Sequence, residues 1–241
     1  MSNLEKVILV TGSGKRIGKE IVLGLSKTNK NLRFIVHFNN SDKQACKIIE
    51  EVNKERIIAK SIKFDLSNSK DIKKFVLEAE ALFGKIDILI NNASIFEERK
   101  LHKITEDHFD RMININLKAP FILSQLISIG MLKRRYGKII NMTDSIGVAK
   151  TWKDYSHYCI SKGGLETLTK VMSLELKPYI QVNSIAPGKI LKPINNANEL
   201  YNKSCESASG IERILNILTI LIESDIINGE SFKIDNGETL T

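Results

Sequence analysis

The chain has 241 residues, of which 42% are hydrophobic and 27% are charged, and its formal net charge is +8. This length suits one large α/β domain, and the composition excludes an intrinsically disordered chain. The basic residues are scattered, and the densest group, KRR at 133–135, is too short to mark a nucleic-acid surface. We therefore expect no nucleic-acid partner, although the positive field favours an anionic small molecule.

The cysteines and the apolar runs indicate in which cellular compartment the protein is expected. The three cysteines, Cys46, Cys159 and Cys205, form no close pair. This pattern fits a reducing compartment and argues against a disulfide framework or a metal site. No N-terminal stretch has the form of a signal peptide, and the first apolar run, VILV, is too short to span a membrane. We expect a cytoplasmic protein with no membrane association.

Short apolar runs alternate with longer amphipathic stretches along the chain. The runs predict strands at 6–11, 33–38, 61–65, 86–91, 137–142, 180–185 and 231–235. The stretches between them predict helices at 16–28, 42–54, 69–83, 106–133, 155–177 and 209–223. Together they predict one α/β domain over 1–241, with a doubly wound parallel sheet of about seven strands covered by helices on both faces. The polar stretch 189–208 interrupts the alternation and is either a substrate loop or a surface loop without a role.

The stretch TGSGKRIG follows the first predicted strand and leads into the first predicted helix. Ligands of an open parallel sheet bind beyond the carboxyl ends of its strands. Gly12 would permit the tight turn there, and Gly18 would let the helix pack closely on the strand. Backbone amides at the helix start, from Ile17 onward, would then meet a pyrophosphate. The stretch predicts a dinucleotide-binding loop, with Arg16 where a glycine is common.

The end of the second predicted strand indicates which dinucleotide binds. An NAD-preferring site usually carries an acidic residue there, to bind the ribose 2′-hydroxyl. In this chain the strand ends at His37 and Phe38, and the first acidic residue is Asp42. The candidate donors to a 2′-phosphate are Lys15, Arg16, Asn39, Asn40 and Ser41. We therefore predict NADPH rather than NADH.

The stretch YSHYCISK places Tyr158 and Lys162 four residues apart on one helix face. Hydride transfer to a carbonyl or imine needs a proton donor at the receiving atom. A tyrosine can donate that proton if a nearby ammonium lowers its pKa. Tyr155 stands a further turn away and is read as structural or substrate-facing.

At this point the chain resembles the short-chain dehydrogenase/reductase family. The matching pieces occur in the family's order as TGSGKRIG, FDLSN, NNAS, NIN before LKAPF, IINMTD, YCISK, APG and INGESFKIDNGETL. The resemblance implies a single Rossmann-type domain, a homotetramer with interfaces on helices 106–133 and 155–177, and a water held by Asn116 that links Lys162 to the proton relay. It also implies a cofactor site formed by Asp65, Leu66, Asn91, Asn92, Ala93, Ser94, Lys162, Pro187 and Gly188, with His37 at the end of the second strand.

The catalytic serine of that family is where this chain departs from the pattern. Counting from the fifth strand puts Asp144 at the serine position, whereas counting back from Tyr158 puts Ser145 there. Loops absorb insertions and strand ends do not, so the strand is the better anchor. With an aspartate at this position, the chain resembles the pteridine reductases and dihydromonapterin reductases. These proteins also carry an arginine in the glycine loop and the sequence NNAS, which correspond here to Arg16 and Ser94. Phe96 matches the aromatic residue that pteridine reductases stack on the pterin.

Three functions follow from these patterns. The first is an NADPH-dependent reductase of a small-molecule dihydropterin, with Tyr158, Lys162 and Asp144 as the proton relay and with Arg16, Ser94 and Phe96 at the substrate. The second is a carbonyl reductase, for instance of 3-oxoacyl thioesters, that uses Ser145. The third is a catalytically silent NADP(H)-binding sensor or scaffold, which the intact Tyr158 and Lys162 disfavour.

Overall fold

The structure, a computed structural model, describes residues 5–56, 58–191 and 208–240. Within these ranges, seven strands occur in chain order: β1 Lys6–Val10, β2 Leu32–Phe38, β3 Ala59–Lys63, β4 Ile88–Asn91, β5 Gly137–Met142, β6 Ile180–Pro187 and β7 Ser231–Ile234. They form one sheet in the spatial order β3-β2-β1-β4-β5-β6-β7, and all six pairings are parallel. The predicted α/β fold with a parallel sheet of seven strands is confirmed.

The described ranges contain eight α-helices: α1 Arg16–Thr28, α2 Asp42–Val52, α3 Ile72–Phe83, α4 Glu106–Ile113, α5 Ala119–Arg134, α6 Ser145–Ala149, α7 Ser156–Glu175 and α8 Ala208–Glu223. Helix α6 had no predicted counterpart, because its five residues are too few to show a helical period. Of the predicted loop 189–208, residues 192–207 lie outside the described part of the chain.

Side chains that alternate between the two faces of the sheet form two separate layers of the hydrophobic core. In β1, Ile8 and Val10 pack in one hydrophobic cluster, whereas Val7 and Leu9 pack in another. Side chains of successive strand residues point to opposite faces, so a strand buried on both faces reads as an unbroken apolar run. This burial explains why VILV predicted a strand correctly.

The order of the strands places a crevice beside β1. Strand β1 pairs with β2 on one side and with β4 on the other. The connections that leave β1 and β4 therefore diverge, and a crevice opens between their carboxyl ends. Ligands of such sheets bind at this switch point, which is where the glycine loop begins.

The longest helical stretch with an apolar composition runs through α4 and α5. Glu106–Arg134 is long and apolar enough to cross a membrane by length and composition alone. In the fold, however, α5 buries Ala119, Leu123, Ile127 and Met131. A helix that contributes to the domain core needs such a face, so the apolar composition does not require a membrane. Between α4 and α5 the chain makes a π-helical turn at Asn114–Lys118.

Candidate active site

A cleft of about 710 Å³ opens at the carboxyl ends of the strands. Its lining comes from the glycine loop, from the ends of β2, β4, β5 and β6, and from the first part of α7. With the exception of Asn91, the predicted cofactor positions lie along it, namely Gly12, Lys15, Arg16, Ile17, Gly18, His37, Asn39, Asn40, Ser41, Asp65, Leu66, Asn92, Ala93, Ser94, Lys162, Pro187 and Gly188. Residues that the sequence marked in six separate stretches are therefore brought together in one cavity.

Two close approaches explain the glycines of the loop. Gly12 has φ +63°, and a Cβ placed there would lie 2.8 Å from the Ala93 Cα. A Cβ on Gly18 would lie 2.6 Å from the Gly12 carbonyl oxygen. Both distances are too short for a side chain, so the loop and α1 can pack this closely only with glycine at these positions. Thr11 Oγ1 completes the turn by accepting hydrogen bonds from the amides of Asn92 at 2.9 Å and Ala93 at 3.0 Å.

The start of α1 has the chemistry of a phosphate site. No side chain caps this helix end among the described residues, so its first amides can serve an anion, as they do in dinucleotide sites. Arg16 adopts a left-handed φ of +55°, and its guanidinium donates to the Leu191 carbonyl oxygen at 3.2 Å. Lys15 lines the same end of the cleft. The amides and the two cations fit the pyrophosphate and 2′-phosphate of a dinucleotide.

Asp144 and Tyr158 face each other at the middle of the cleft. The Tyr158 hydroxyl donates a hydrogen bond of 2.7 Å to Asp144 Oδ2. Asp144 is also the N-cap of α6, because its Oδ1 accepts a short hydrogen bond from the Gly147 amide. One carboxylate oxygen is therefore anchored to the backbone while the other meets the tyrosine, and the carboxylate has a fixed orientation.

Lys162 lies below this pair and is buried, with an exposed fraction of 3%. Its ammonium donates to the Met142 carbonyl oxygen at 2.7 Å and lies 5.8 Å from the centre of the Tyr158 ring. Burial lowers the pKa of Lys162 from 10.5 to about 8, although the charge of Asp144 opposes that shift. The cation stays charged at neutral pH and favours negative charge on groups nearby.

Three candidate residues near this centre lie outside the lining of the cleft. Ser145 is buried as the first residue of α6, and it is not bonded to the Tyr158 hydroxyl because Asp144 occupies that place. Asn91 does not line the cleft; its amide donates to Asn141 Oδ1 at 2.8 Å inside the core, since strand alternation turns it away. Asn116 does not line the cleft either.

Asn116 instead holds the loop that follows β4. It is buried in the π-helical turn, its Oδ1 accepts from the Ile95 amide at 2.9 Å, and its Nδ2 donates to the Ile95 carbonyl at 3.0 Å. Nδ2 also lies 3.2 Å from the Ser161 hydroxyl of α7. The side chain thus fixes the loop against α7, and its water-mediated contact with Lys162 stays a prediction.

An aromatic cluster borders Tyr158. The ring of Phe96 stacks on Tyr155 with centroids 4.2 Å apart and meets Tyr158 edge-on at 4.7 Å. Trp152 adds a further edge contact to Phe96 at 6.0 Å. Tyr155 covers one face of Phe96, so a planar ligand can stack only on the opposite face. Tyr155 itself is buried, in agreement with a structural role.

Several cleft residues carried no recognisable signal in the sequence. They are Phe38, Ser67, Ile95, Glu97, Arg111, Ile115, Met142, Thr143, Ile190 and Leu191. Arg111 of α4 forms a short ion pair with Glu97 across the opening of the cleft. An arginine on a helix surface and a glutamate in a loop are common at any exposed site, so only their position in space marks them.

A dinucleotide-sized cleft at the switch point, with a tyrosine and a buried lysine at its centre, is the arrangement of a nicotinamide-dependent oxidoreductase. The chain belongs to the short-chain dehydrogenase family: the family profile described as short chain dehydrogenase matches residues 6–202. It is therefore an oxidoreductase of that family.

Similar proteins carry different names within this family. The chain is 32% identical over 195 residues to the 3-oxoacyl-[acyl-carrier-protein] reductase FabG of Staphylococcus epidermidis, covering 80% of this chain and 79% of that protein. It is 35% identical over 184 residues to the 2-dehydro-3-deoxy-D-gluconate 5-dehydrogenase of Formosa agariphila, covering 76% and 69%. Among solved structures, FolM alternative dihydrofolate reductase 1 from Brucella canis, complexed with NADP, superposes with a TM-score of 0.87 at 28% identity, over 98% of this chain and 95% of that chain.

Proposed function

We propose that this enzyme reduces a dihydropterin with NADPH. The observation that carries the proposal is the 2.7 Å hydrogen bond between the Tyr158 hydroxyl and the Asp144 carboxylate. In the resembling family a serine commonly stands there and binds the substrate oxygen. A carboxylate at that position suits a nitrogen heterocycle, because it can pass a proton toward a ring nitrogen.

The proton chemistry follows from the positions of three side chains. Lys162 favours loss of the Tyr158 proton through its charge, while Tyr158 presents its hydroxyl to the cleft. Asp144 accepts a hydrogen bond from that hydroxyl. Because Asp144 is only partly buried, it can take up a proton from solvent and pass it to the tyrosinate. In this scheme Tyr158 delivers the proton to the substrate and Asp144 restores it.

NADP fits the cleft by its donors. The α1 amides and Arg16 would hold the pyrophosphate, and Lys15, Asn39, Asn40 and Ser41 would surround the 2′-phosphate. The cofactor, when bound, supplies the hydride. The NADP complex of the FolM structure supports this assignment.

The substrate end of the cleft suits a flat ring. Phe96 lines the cleft beside Tyr158 and offers an aromatic surface to a pterin, while Ser94 and Arg16 offer hydrogen-bonding groups toward the edge of that ring. The FolM neighbour, which is named an alternative dihydrofolate reductase, supports reduction of a pterin-like ring.

The second candidate is reduction of a 3-oxoacyl thioester. The FabG relative favours it. In that reading Ser145 would have to hold the substrate oxygen, yet Asp144 is the residue bonded to Tyr158. A carboxylate facing a ketone oxygen repels the negative charge that develops on that oxygen, which disfavours this candidate.

A substrate panel separates the two candidates. NADPH oxidation should be followed with dihydrobiopterin, dihydromonapterin, dihydrofolate and an acetoacetyl thioester, using wild type, Asp144→Ser and Tyr158→Phe. We expect turnover of at least one dihydropterin, a loss of roughly a hundredfold in Tyr158→Phe, and a marked loss in Asp144→Ser. Reduction of the thioester alone, or unchanged pterin turnover in Asp144→Ser, would refute the pterin proposal.

Ser145→Ala is the matched control for the aspartate. It changes the neighbouring residue without touching the hydrogen bond to Tyr158. We expect it to keep pterin turnover. A selective loss of thioester reduction in Ser145→Ala would support the second candidate instead.

We also propose a cytoplasmic homotetramer. Large apolar side chains are exposed on the two helices to which the family resemblance assigns interfaces: Phe121 and Ile129 on α5, Ile160 and Leu174 on α7. Exposed apolar residues on adjacent helices are typical of a surface that another copy covers. Light scattering should give the mass of four chains, and Leu174→Lys should lower it; a monomeric wild type would contradict the assignment.

A further inference from the structure

His37, at the end of β2, has both ring nitrogens engaged by the backbone. Its Nδ1 accepts a hydrogen bond of 2.9 Å from the Gly12 amide. Its Nε2 lies 3.0 Å from the Phe64 carbonyl oxygen. A carbonyl oxygen can only accept and an amide can only donate, so Nε2 carries the proton and Nδ1 does not. The contacts define one neutral tautomer.

The surroundings hold this ring in place. His37 is 2% exposed, and it meets the edge of Phe75 at 5.3 Å. Burial lowers its pKa to about 4, against smaller opposing effects of the Phe64 carbonyl and the charge of Asp65. The backbone of His37 makes a third contact, in which its carbonyl oxygen accepts a hydrogen bond of 2.8 Å from the Ser13 amide.

These contacts join the two halves of the nucleotide cleft. Gly12 and Ser13 belong to the loop that faces the pyrophosphate, and Phe64 immediately precedes Asp65, which lines the adenosine end of the cleft. Gly12 has a positive φ, and because glycine lacks a side chain its backbone can adopt many other conformations. The imidazole therefore restricts the most mobile residue type in the loop.

We propose that His37 is a positioning residue, which sets the conformation of the glycine loop for NADPH through its bond to the Gly12 amide, and is not a donor to the 2′-phosphate. The inference rests on the proposed nucleotide role of the cleft. The sequence placed His37 in the cofactor site without a role, and a ring with both nitrogens engaged has no donor left for a phosphate. The 2′-phosphate contacts then belong to Lys15, Asn39, Asn40 and Ser41.

Three substitutions separate the two ring bonds. His37→Asn places an oxygen near the position of Nδ1 and can still accept from Gly12. His37→Gln reaches toward Phe64 with an amide but offers no acceptor at Gly12. His37→Phe keeps the packing against Phe75 and loses both bonds. NADPH affinity should be measured by fluorescence titration without substrate, together with hydrogen exchange of the Gly12 amide and the imidazole nitrogen shifts of the free wild-type protein.

We expect wild type to hold the Nε2-protonated tautomer. The Gly12 amide should be protected from exchange in wild type and in His37→Asn, and it should exchange rapidly in His37→Gln and His37→Phe. The NADPH dissociation constant should rise about tenfold in Gln and Phe and stay within about threefold in Asn. Ile127→Val, on the buried face of α5, is the control for lost stability alone and should leave the dissociation constant unchanged.

A cationic or Nδ1-protonated ring, or equal affinity in all three variants, would overturn the proposal. If wild type binds no NADPH, the proposed function fails, whereas the tautomer and the Gly12 exchange still decide whether His37 holds the loop.

Discussion

Replacing Lys162 by methionine should make the free protein more stable at neutral pH while abolishing reduction. Lys162 is 3% exposed, and burial lowers its pKa from 10.5 to about 8. At about 1.4 kcal/mol for each pH unit, holding this ammonium charged in the folded chain costs about 3 kcal/mol. The hydrogen bond to the Met142 carbonyl, which methionine cannot make, offsets about 1 kcal/mol of that. The variant should therefore gain about 2 kcal/mol in free energy of unfolding.

The gain depends on pH in a defined direction. The folded-state pKa of Lys162 lies below that of the unfolded chain, so the unfolded chain binds more protons between about 8 and 10.5. The stability of wild type rises with pH across this window, and the methionine variant lacks that rise. The advantage of the variant is therefore complete below about pH 8 and shrinks as the pH increases.

Urea unfolding of the cofactor-free protein at about pH 7 and about pH 10 measures both effects. Lys170→Met, on the exposed side of the same helix, is the matched control and should show no such pH-dependent difference. A Lys162→Met variant that is less stable than wild type at neutral pH would refute the reasoning, as would an advantage that is equal at both pH values. NADPH oxidation by the variant should fall by at least about a hundredfold.

Two further substitutions test other parts of the fold. Gly147→Ala should lower kcat by roughly tenfold with the fold retained. The added Cβ would lie 3.0 Å from Asp144 Oδ1 and 3.2 Å from Tyr158 Cε1, and it would displace both side chains. Unchanged steady-state kinetics would contradict the need for glycine at this position. Asp225→Asn should lower the free energy of unfolding by about 1 kcal/mol, because Asp225 pairs with the buried Lys138 at 2.8 Å but is itself 79% exposed and screened by water. The hydrogen bond and charge of Lys138 lower the pKa of Asp225, so the stabilisation is present above its unfolded-state pKa and should fade as the pH falls through the lowered one, which urea unfolding in acid would show.

Strand ends were the most reliable guide to the site. The register of β5, with Met142 opposite Ile185, leaves Asp144 two residues beyond the sheet. The extra residue that separates the two counts falls in the connection after it, where Thr151 and Asp154 both adopt a positive φ. A strand inside a sheet cannot absorb an insertion without turning its side chains to the other face, so a count from the strand reaches the residue that is bonded to Tyr158.

Other contacts had no signature along the chain. The sequence placed His37 in the cofactor site at the end of β2, and only its burial and two backbone partners indicate what it does there. The stacking of Phe96 on Tyr155 joins residues from separate loops. Such pairings depend on where loops meet, which local periodicity does not encode.

The π-helical turn at Asn114–Lys118 also constrains how this chain can change over generations. It contains one residue more than an α-helical turn would, and each helical residue accounts for about 100° of rotation. Deleting a single residue there would turn α5 by that angle against α4, so either Asn116 would leave the loop at Ile95 or the buried face of α5 would leave the sheet. Insertions and deletions should therefore be rare in this segment among related chains, while point substitutions on its exposed side accumulate.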